Sequence, residues 1–128
     1  MQTIREIMEP HPITLRPESP IREALHILIE REISGMPVVD TDHEIVGILS
    51  EKDLLKVFYE PESRTVDSIM TKDPMKIGVD APLSEVIDCL MENDFRRVLI
   101  HENGKLVGLV SRADLMPAIL DILANRVS

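Results

Sequence analysis

Two short stretches carry the residues best suited to chemistry. GILSEKD, residues 47–53, and GLVSRAD, residues 108–114, each read Gly, two apolar residues, Ser, two variable residues and Asp. Ser50 thus precedes Asp53 as Ser111 precedes Asp114. A Ser-x-x-Asp spacing after an apolar run marks a helix start. The hydroxyl accepts from a backbone N–H, and the acid three residues on reaches back toward the cap. The same spacing gathers a hydroxyl, a carboxylate and N–H groups at one point. It is therefore either a structural cap used twice or the recurring half of a polar binding site.

No other constellation competes. There is no paired nucleophile and base, no G-x-G-x-x-G, no Walker loop and no H-E-x-x-H, so no catalytic residue is assigned and the chain is read as a non-enzyme. His11, His26, His43 and His101 are scattered without metal-ligand spacing, and no metal site is assigned. Cys89 follows Asp88 and precedes Leu90 on a helical pattern, which suits packing. The Met residues occupy apolar positions and are read as core.

The elements that must position the two Ser-x-x-Asp stretches are themselves written twice. Offset by 62, Thr3 meets Thr65, Ile7-Met8 meets Ile69-Met70, Pro12 meets Pro74 and Pro20 meets Pro82. After a one-residue deletion the offset becomes 61, and Val46-Gly47, Ser50 and Asp53 meet Val107-Gly108, Ser111 and Asp114. The chain is a tandem repeat, residues 1–62 and 63–128.

Each copy has the same grammar. A short helix leads; in TIREIM, Thr3 and Glu6 make a capping-box pattern. An extended piece follows, PITL or PMKI, and then a helix with Pro20 or Pro82 near its first turn. Ile21, Ala24, Leu25, Leu28 and Ile29 form its apolar stripe in copy one; Leu83, Val86, Ile87, Leu90 and Met91 form it in copy two. Two strands come next, MPVVD and EIVGIL around the turn Thr41-Asp42-His43, then VLIH and KLVGLV around Glu102-Asn103-Gly104. Their nearly continuous apolar runs suit strands covered on both faces. A helix after each Ser-x-x-Asp closes the copy, EPESR (60–64) links the two, and Pro117 kinks or restarts the final helix near Met116.

Composition narrows the classes of function. The 128 residues suffice for one compact domain or two small halves sharing a core. Apolar residues make up 44% of them, with no run near a membrane span's length and no secretory signal at the N-terminus. One Cys fits a reducing cytoplasm. The net charge is −9, from 23 acidic against 14 basic residues, which repels nucleic acid and excludes it as a general partner. One repeat leaves an apolar helix face uncovered, so two copies cover each other and a homodimer covers the rest.

In order, the motifs EIM or SIM, P-x-x-h, SGMPVVD, a turn and G-h-h-S-x-x-D resemble a CBS-domain pair, or Bateman module, across almost the whole chain. The resemblance implies an α/β (α+β) fold of tandem β-α-β-β-α repeats, with two small sheets packed in pseudo-twofold symmetry. It implies clefts between the repeats for adenosine-containing ligands: AMP, ADP, ATP or S-adenosylmethionine. No cofactor is required, and the expected role is a stand-alone module regulating a partner protein. The competing reading is a structural or dimerisation module with vestigial clefts.

An adenine nucleotide asks for groups the motifs contain. One carboxylate, Asp53 or Asp114, accepts both vicinal ribose hydroxyls. Ser50 and Ser111 meet phosphate with hydroxyl and helix-start N–H groups. Ile13, Thr14, Met36 and Pro37, and likewise Met75, Lys76, Val98 and Leu99, offer apolar slots for adenine. The resemblance assembles each cleft from both repeats. Ser50 and Asp53 then face Met75, Lys76, Arg97, Val98 and Leu99, while Ser111 and Asp114 face Ile13, Thr14 and residues 34–37. Arg96-Arg97 stand where copy one has Ser34-Gly35, so Arg97 is expected to serve the Asp53 cleft and Arg112, or else Arg16, the other. Leu99 replaces the family's usual Pro, present here as Pro37.

Overall fold

The computed structural model describes residues 2–93 and 96–127, apart from the side chains of Arg126 and Val127. The chain divides into two compact units, Ile13–Pro74 and Met1–Pro12 together with Met75–Ser128. These units do not coincide with the sequence copies. Each joins the strands and long helix of one copy to the leading segment of the other. The reason is hydrophobic: Ile4 is buried in the core of the second unit, and Val66 and Ile69 in the core of the first.

In the unit Ile13–Pro74, the helix α2 (Ile21–Arg31) buries Ile21, Ala24 and Leu28. Only this half of the apolar stripe is covered: Ile29 stays 72% exposed, and its counterpart Met91 80%. Pro20 stands at the N-cap, where its missing N–H is no loss. The strands β2 (Gly35–Val39) and β3 (Ile45–Ser50) pair antiparallel, and the short strand β4 (Thr71–Lys72) adds to β3. The Thr41-Asp42-His43 turn is held by Asp40, whose Oδ1 accepts the N–H of Asp42 and of Glu44 at 2.9 Å. The extended piece PITL is present as a parallel bridge from Leu15 to Val38.

The other unit begins with α1 (Ile4–Ile7) and β1 (Glu9–Pro10). It continues with β5 (Lys76–Gly78), α4 (Leu83–Glu92), β6 (Arg97–Glu102) and β7 (Lys105–Ser111). The sheet order is β1-β7-β6-β5, with β6 parallel to β5 and antiparallel to β7. The hairpin turn has Asn103 and Gly104 at φ 54 and 85°, a pair of left-handed residues that an Asn-Gly turn supplies at least strain. Val98 and Ile100 join the helix-facing core, while Leu99, which points the other way, is also buried. Both faces of this strand are closed to water, as its unbroken apolar run implied.

Two sequence expectations resolve in detail. The helix after Ser111 opens as a 3-10 turn (Ala113–Leu115) and restarts as α5 (Met116–Val127), with Pro117 in the first turn of α5. The leading segments differ. In α1 the Thr3–Glu6 capping box forms, whereas in copy two the segment is only a 3-10 turn (Val66–Ser68). Ser68 stands where Glu6 would complete the box, and its hydroxyl donates instead to the Thr65 carbonyl at 2.6 Å.

The box makes α1 sensitive to acid. The Thr3 N–H and then the Thr3 hydroxyl hold the Glu6 carboxyl below its ordinary range. A lowered folded value means the stabilisation is complete above the ordinary glutamate value and fades as pH falls through the folded one. Glu6→Gln should therefore lower the thermal midpoint at neutral pH, and the difference from the parent should close below about pH 4. A gap unchanged in acid would show that Glu6 acts through shape alone.

Candidate functional site

Both Ser-x-x-Asp stretches form the reciprocal cap their spacing demands. The Ser50 Oγ accepts the Asp53 N–H at 3.2 Å, and Asp53 Oδ2 accepts the Ser50 N–H at 3.0 Å. In the other unit the Ser111 Oγ accepts the Asp114 N–H at 3.3 Å, and Asp114 Oδ2 accepts the Ser111 N–H at 2.8 Å. The helix after Ser50 is short, α3 (Glu51–Leu54) followed by a 3-10 turn (Leu55–Phe58).

A glycine positions each cap. The short strands β4 and β1 cross β3 and β7 at Gly47 and Gly108. A Cβ on Gly47 would lie 2.6 Å from Met70 Sδ and 2.9 Å from the Thr71 carbonyl. On Gly108 it would lie 2.5 Å from Met8 Sδ and 2.9 Å from the Glu9 carbonyl. The Met of each EIM or SIM motif thus lies over the Gly of G-h-h-S-x-x-D, which ties the two motifs into one device.

Beyond the cap the copies diverge. Asp53 is 4% exposed, the one buried charged residue among the described residues. The Thr71 hydroxyl donates to its Oδ1 at 3.1 Å, the Ser50 hydroxyl to its Oδ2 at 3.0 Å, and Lys56 Nζ stands 3.3 Å from Oδ1. Asp114 is half-buried, and the Ser111 N–H is the one group among the described residues that bonds its carboxylate. Thr71 and Lys56 were missed in the sequence. The repeat offset would have shown the contrast, because Glu9 stands at the position of Thr71 and Pro117 at that of Lys56.

The remaining site residues distribute between the units as follows. Ile13, Thr14, Met36 and Pro37 lie with Ser50 and Asp53, and Leu15 N–H donates to the Pro37 carbonyl at 3.0 Å. Met75, Lys76, Arg97, Val98, Leu99 and Arg112 lie with Ser111 and Asp114. Register sets Lys76 beside Leu99, and Arg97 directly across from Ser111. Cross-strand partners share a face, so within its own unit Arg97 flanks the Asp114 start. The corresponding partner of Ser50 is Gly35, which has no side chain to offer. Arg112 is exposed, and its Nη2 donates to the Leu90 carbonyl at 3.4 Å. Met36, Val98 and Leu99 are at most 2% exposed, whereas Ile13 and Met75 are 39% and 51% exposed. Of the expected slot residues, Ile13, Met75 and Lys76 are thus exposed, Thr14 is half-buried, and Met36, Pro37, Val98 and Leu99 are packed away from solvent.

No group of three or more His, Cys, Asp or Glu able to hold a metal occurs among the described residues. Cys89 is buried, its Sγ 3.2 Å from Met75 Sδ, and burial pushes its thiol up from the ordinary value. It has the character of a packed, unreactive thiol.

Two repeats of a mixed strand-and-helix unit, two small sheets and a duplicated G-h-h-S-x-x-D cap define a CBS pair. The CBS domain family matches residues 4–60 and 66–121, and the chain belongs to it. The structure is similar to that of CBSX2 from Arabidopsis thaliana crystallised in complex with AMP, with a TM-score of 0.85 and 28% identity over 95% of this chain and 98% of that one. It is also similar to the CBS domain pair of protein MJ0100 in complex with 5′-methylthioadenosine and S-adenosyl-L-methionine, with a TM-score of 0.79 and 25% identity over 94% and 98%. In sequence it is 32% identical to the inosine-5′-monophosphate dehydrogenase of Aquifex aeolicus (strain VF5), over 83% of this chain but 22% of that enzyme. It spans 42%, 67% and 15% of three other curated relatives. CBS domains therefore occur inside enzymes as well as in CBS-pair proteins. Among the described residues no helix is long and apolar enough to cross a membrane.

Proposed function

We propose that this chain is a regulatory module that binds an adenosine-containing ligand, of the AMP, ADP, ATP or S-adenosylmethionine class, and alters the behaviour of a protein partner. It performs no catalysis itself and works in the cytoplasm. The observation that carries the reading is the duplicated Ser-x-x-Asp cap, at the two places where the family resemblance puts ribose and phosphate contacts. A carboxylate with open acceptor positions suits the vicinal diol of a ribose, and Asp114 has them. Arg97 and Arg112 supply positive charge for a phosphate or carboxylate tail. Relatives crystallised with AMP and with S-adenosyl-L-methionine support the ligand class.

The same reading includes a homodimer. Along α5, Met116, Leu120 and Leu123 are 53%, 67% and 54% exposed at helical spacing, an apolar stripe that a second copy can cover. This feature also favours the alternative, a dimerisation module whose caps are structural only. Mass spectrometry of small molecules released from freshly purified protein, followed by titration with AMP, ATP and S-adenosylmethionine, separates the two. The sensor reading expects an adenosine compound and saturable binding. Silence from all three ligands at millimolar concentration leaves only the dimerisation module.

A further inference from the structure

A carboxylate offers about four acceptor positions, two on each oxygen. At Asp53 three hydrogen bonds from within its own unit occupy the carboxylate, and an ammonium pairs with it beside them. Oδ2 receives the Ser50 N–H and the Ser50 hydroxyl, each at 3.0 Å. Oδ1 receives the Thr71 hydroxyl at 3.1 Å and has Lys56 Nζ at 3.3 Å. Lys56 is itself fixed, donating to the Ile69 carbonyl at 3.2 Å. At Asp114 one position is taken, by the Ser111 N–H at 2.8 Å, and Oδ1 has no partner among the described residues. The difference is written into the chain, since Glu9 and Pro117 hold the places of Thr71 and Lys56 and neither has a donor to give.

We propose that Thr71 and Lys56 form a latch that closes the Asp53 half of the molecule to ribose, so that the two ligand positions fill in sequence, Asp114 first. The proposal rests on the adenosine reading above. A ribose diol arriving at Asp114 finds three open acceptor positions and the guanidinium of Arg97 across the strand from Ser111. A diol arriving at Asp53 must first displace a hydroxyl and an ammonium from a carboxylate that is almost wholly buried. Thr71 and Lys56 reach solvent, so water can receive them, but the diol only replaces donors the carboxylate already has, and the exchange yields little net gain. Ligand concentration is thereby read in two steps, one at low and one at high level, from a chain whose two halves share one motif.

The test is calorimetric titration of AMP into the full chain and five variants. The parent should show one tight event and a second at least about tenfold weaker. Asp114→Asn should remove the tight event, and Asp53→Asn should leave it in place. Thr71→Val, which keeps the shape and removes the donor, should strengthen the weak event about tenfold. Lys56→Gln, at a half-exposed position, should move it in the same direction. The reciprocal change Glu9→Thr puts a donor at the repeat position that Thr71 holds in the other copy, and should weaken the tight event. If Asp53→Asn removes the tight event, or if Thr71→Val and Lys56→Gln both leave the weak one unmoved, the latch is wrong while adenosine binding stands. If the parent takes up no AMP, ATP or S-adenosylmethionine at all, the adenosine reading itself fails and the latch with it.

Discussion

Asp53→Ala should lower the free energy of unfolding by about 3 kcal/mol, and Asp114→Ala by only about 1 kcal/mol, although the two residues are repeats of one another. At Asp114 the loss is one cap. The Ser111 N–H loses its acceptor, and a missing N-terminal cap costs about 0.5–2 kcal/mol. At Asp53 the same cap is lost, and more besides. Thr71 and Lys56 both lose the carboxylate that receives them, with Asp53 only 4% exposed. Hydrogen bonds to a charged group contribute about 1.5–3 kcal/mol each, and less here because Thr71 is exposed and Lys56 half-exposed, so that water takes up part of the loss. Urea unfolding followed by circular dichroism measures both, read as a shift of midpoint at constant slope. Equal losses would mean that Thr71 and Lys56 are spectators, and the account of the Asp53 environment would have to be abandoned.

Gly47→Ala and Gly108→Ala should each cost about 2–3 kcal/mol, large for one added methyl group. The methionine sulfurs that a new Cβ would meet, at 2.6 and 2.5 Å, can swing aside. The carbonyls of Thr71 and Glu9, each at 2.9 Å, cannot, because they belong to the short strands β4 and β1. The added methyl must therefore push a strand off its neighbour. At Gly47 that strand carries Thr71, so the substitution should also loosen the hold on Asp53. Trimming Met70 to Ala in the Gly47→Ala background removes the sulfur contact and leaves the carbonyl one. It should recover little stability, and full recovery would show that the sulfur was the obstacle.

The parts of this structure legible in the sequence are those governed by short spacings. The Ser-x-x-Asp caps, the Thr3–Glu6 box, the Asn-Gly hairpin and the restart at Met116 each depend on residues within four positions of one another. Helix and strand types followed from the period of their apolar residues. Burial was less legible: Ile29 and Met91 continue the helical stripe yet lie outside the buried face. Which leading segment completes which core could not be read either. Ile4 and Ile69 are equally apolar, and only the packed structure shows that each serves the strands of the other copy. The Thr71–Asp53 bond spans 18 residues and depends on β4 crossing β3 at Gly47. A spacing rule that works within a helix turn has no purchase on it. The pairing that sets Arg97 across from Ser111 likewise joins two strands and lies outside any such rule.

The central claim is that a carboxylate at a duplicated helix cap receives the diol of an adenosine ligand. Titration of AMP against 2′-deoxy-AMP tests it most directly, because the two differ by one of the hydroxyls that Asp114 would accept. The account predicts that AMP binds at least about tenfold more tightly, and that the discrimination disappears in Asp114→Asn. Equal affinities for the two nucleotides, or a preference for AMP that survives in Asp114→Asn, would contradict it.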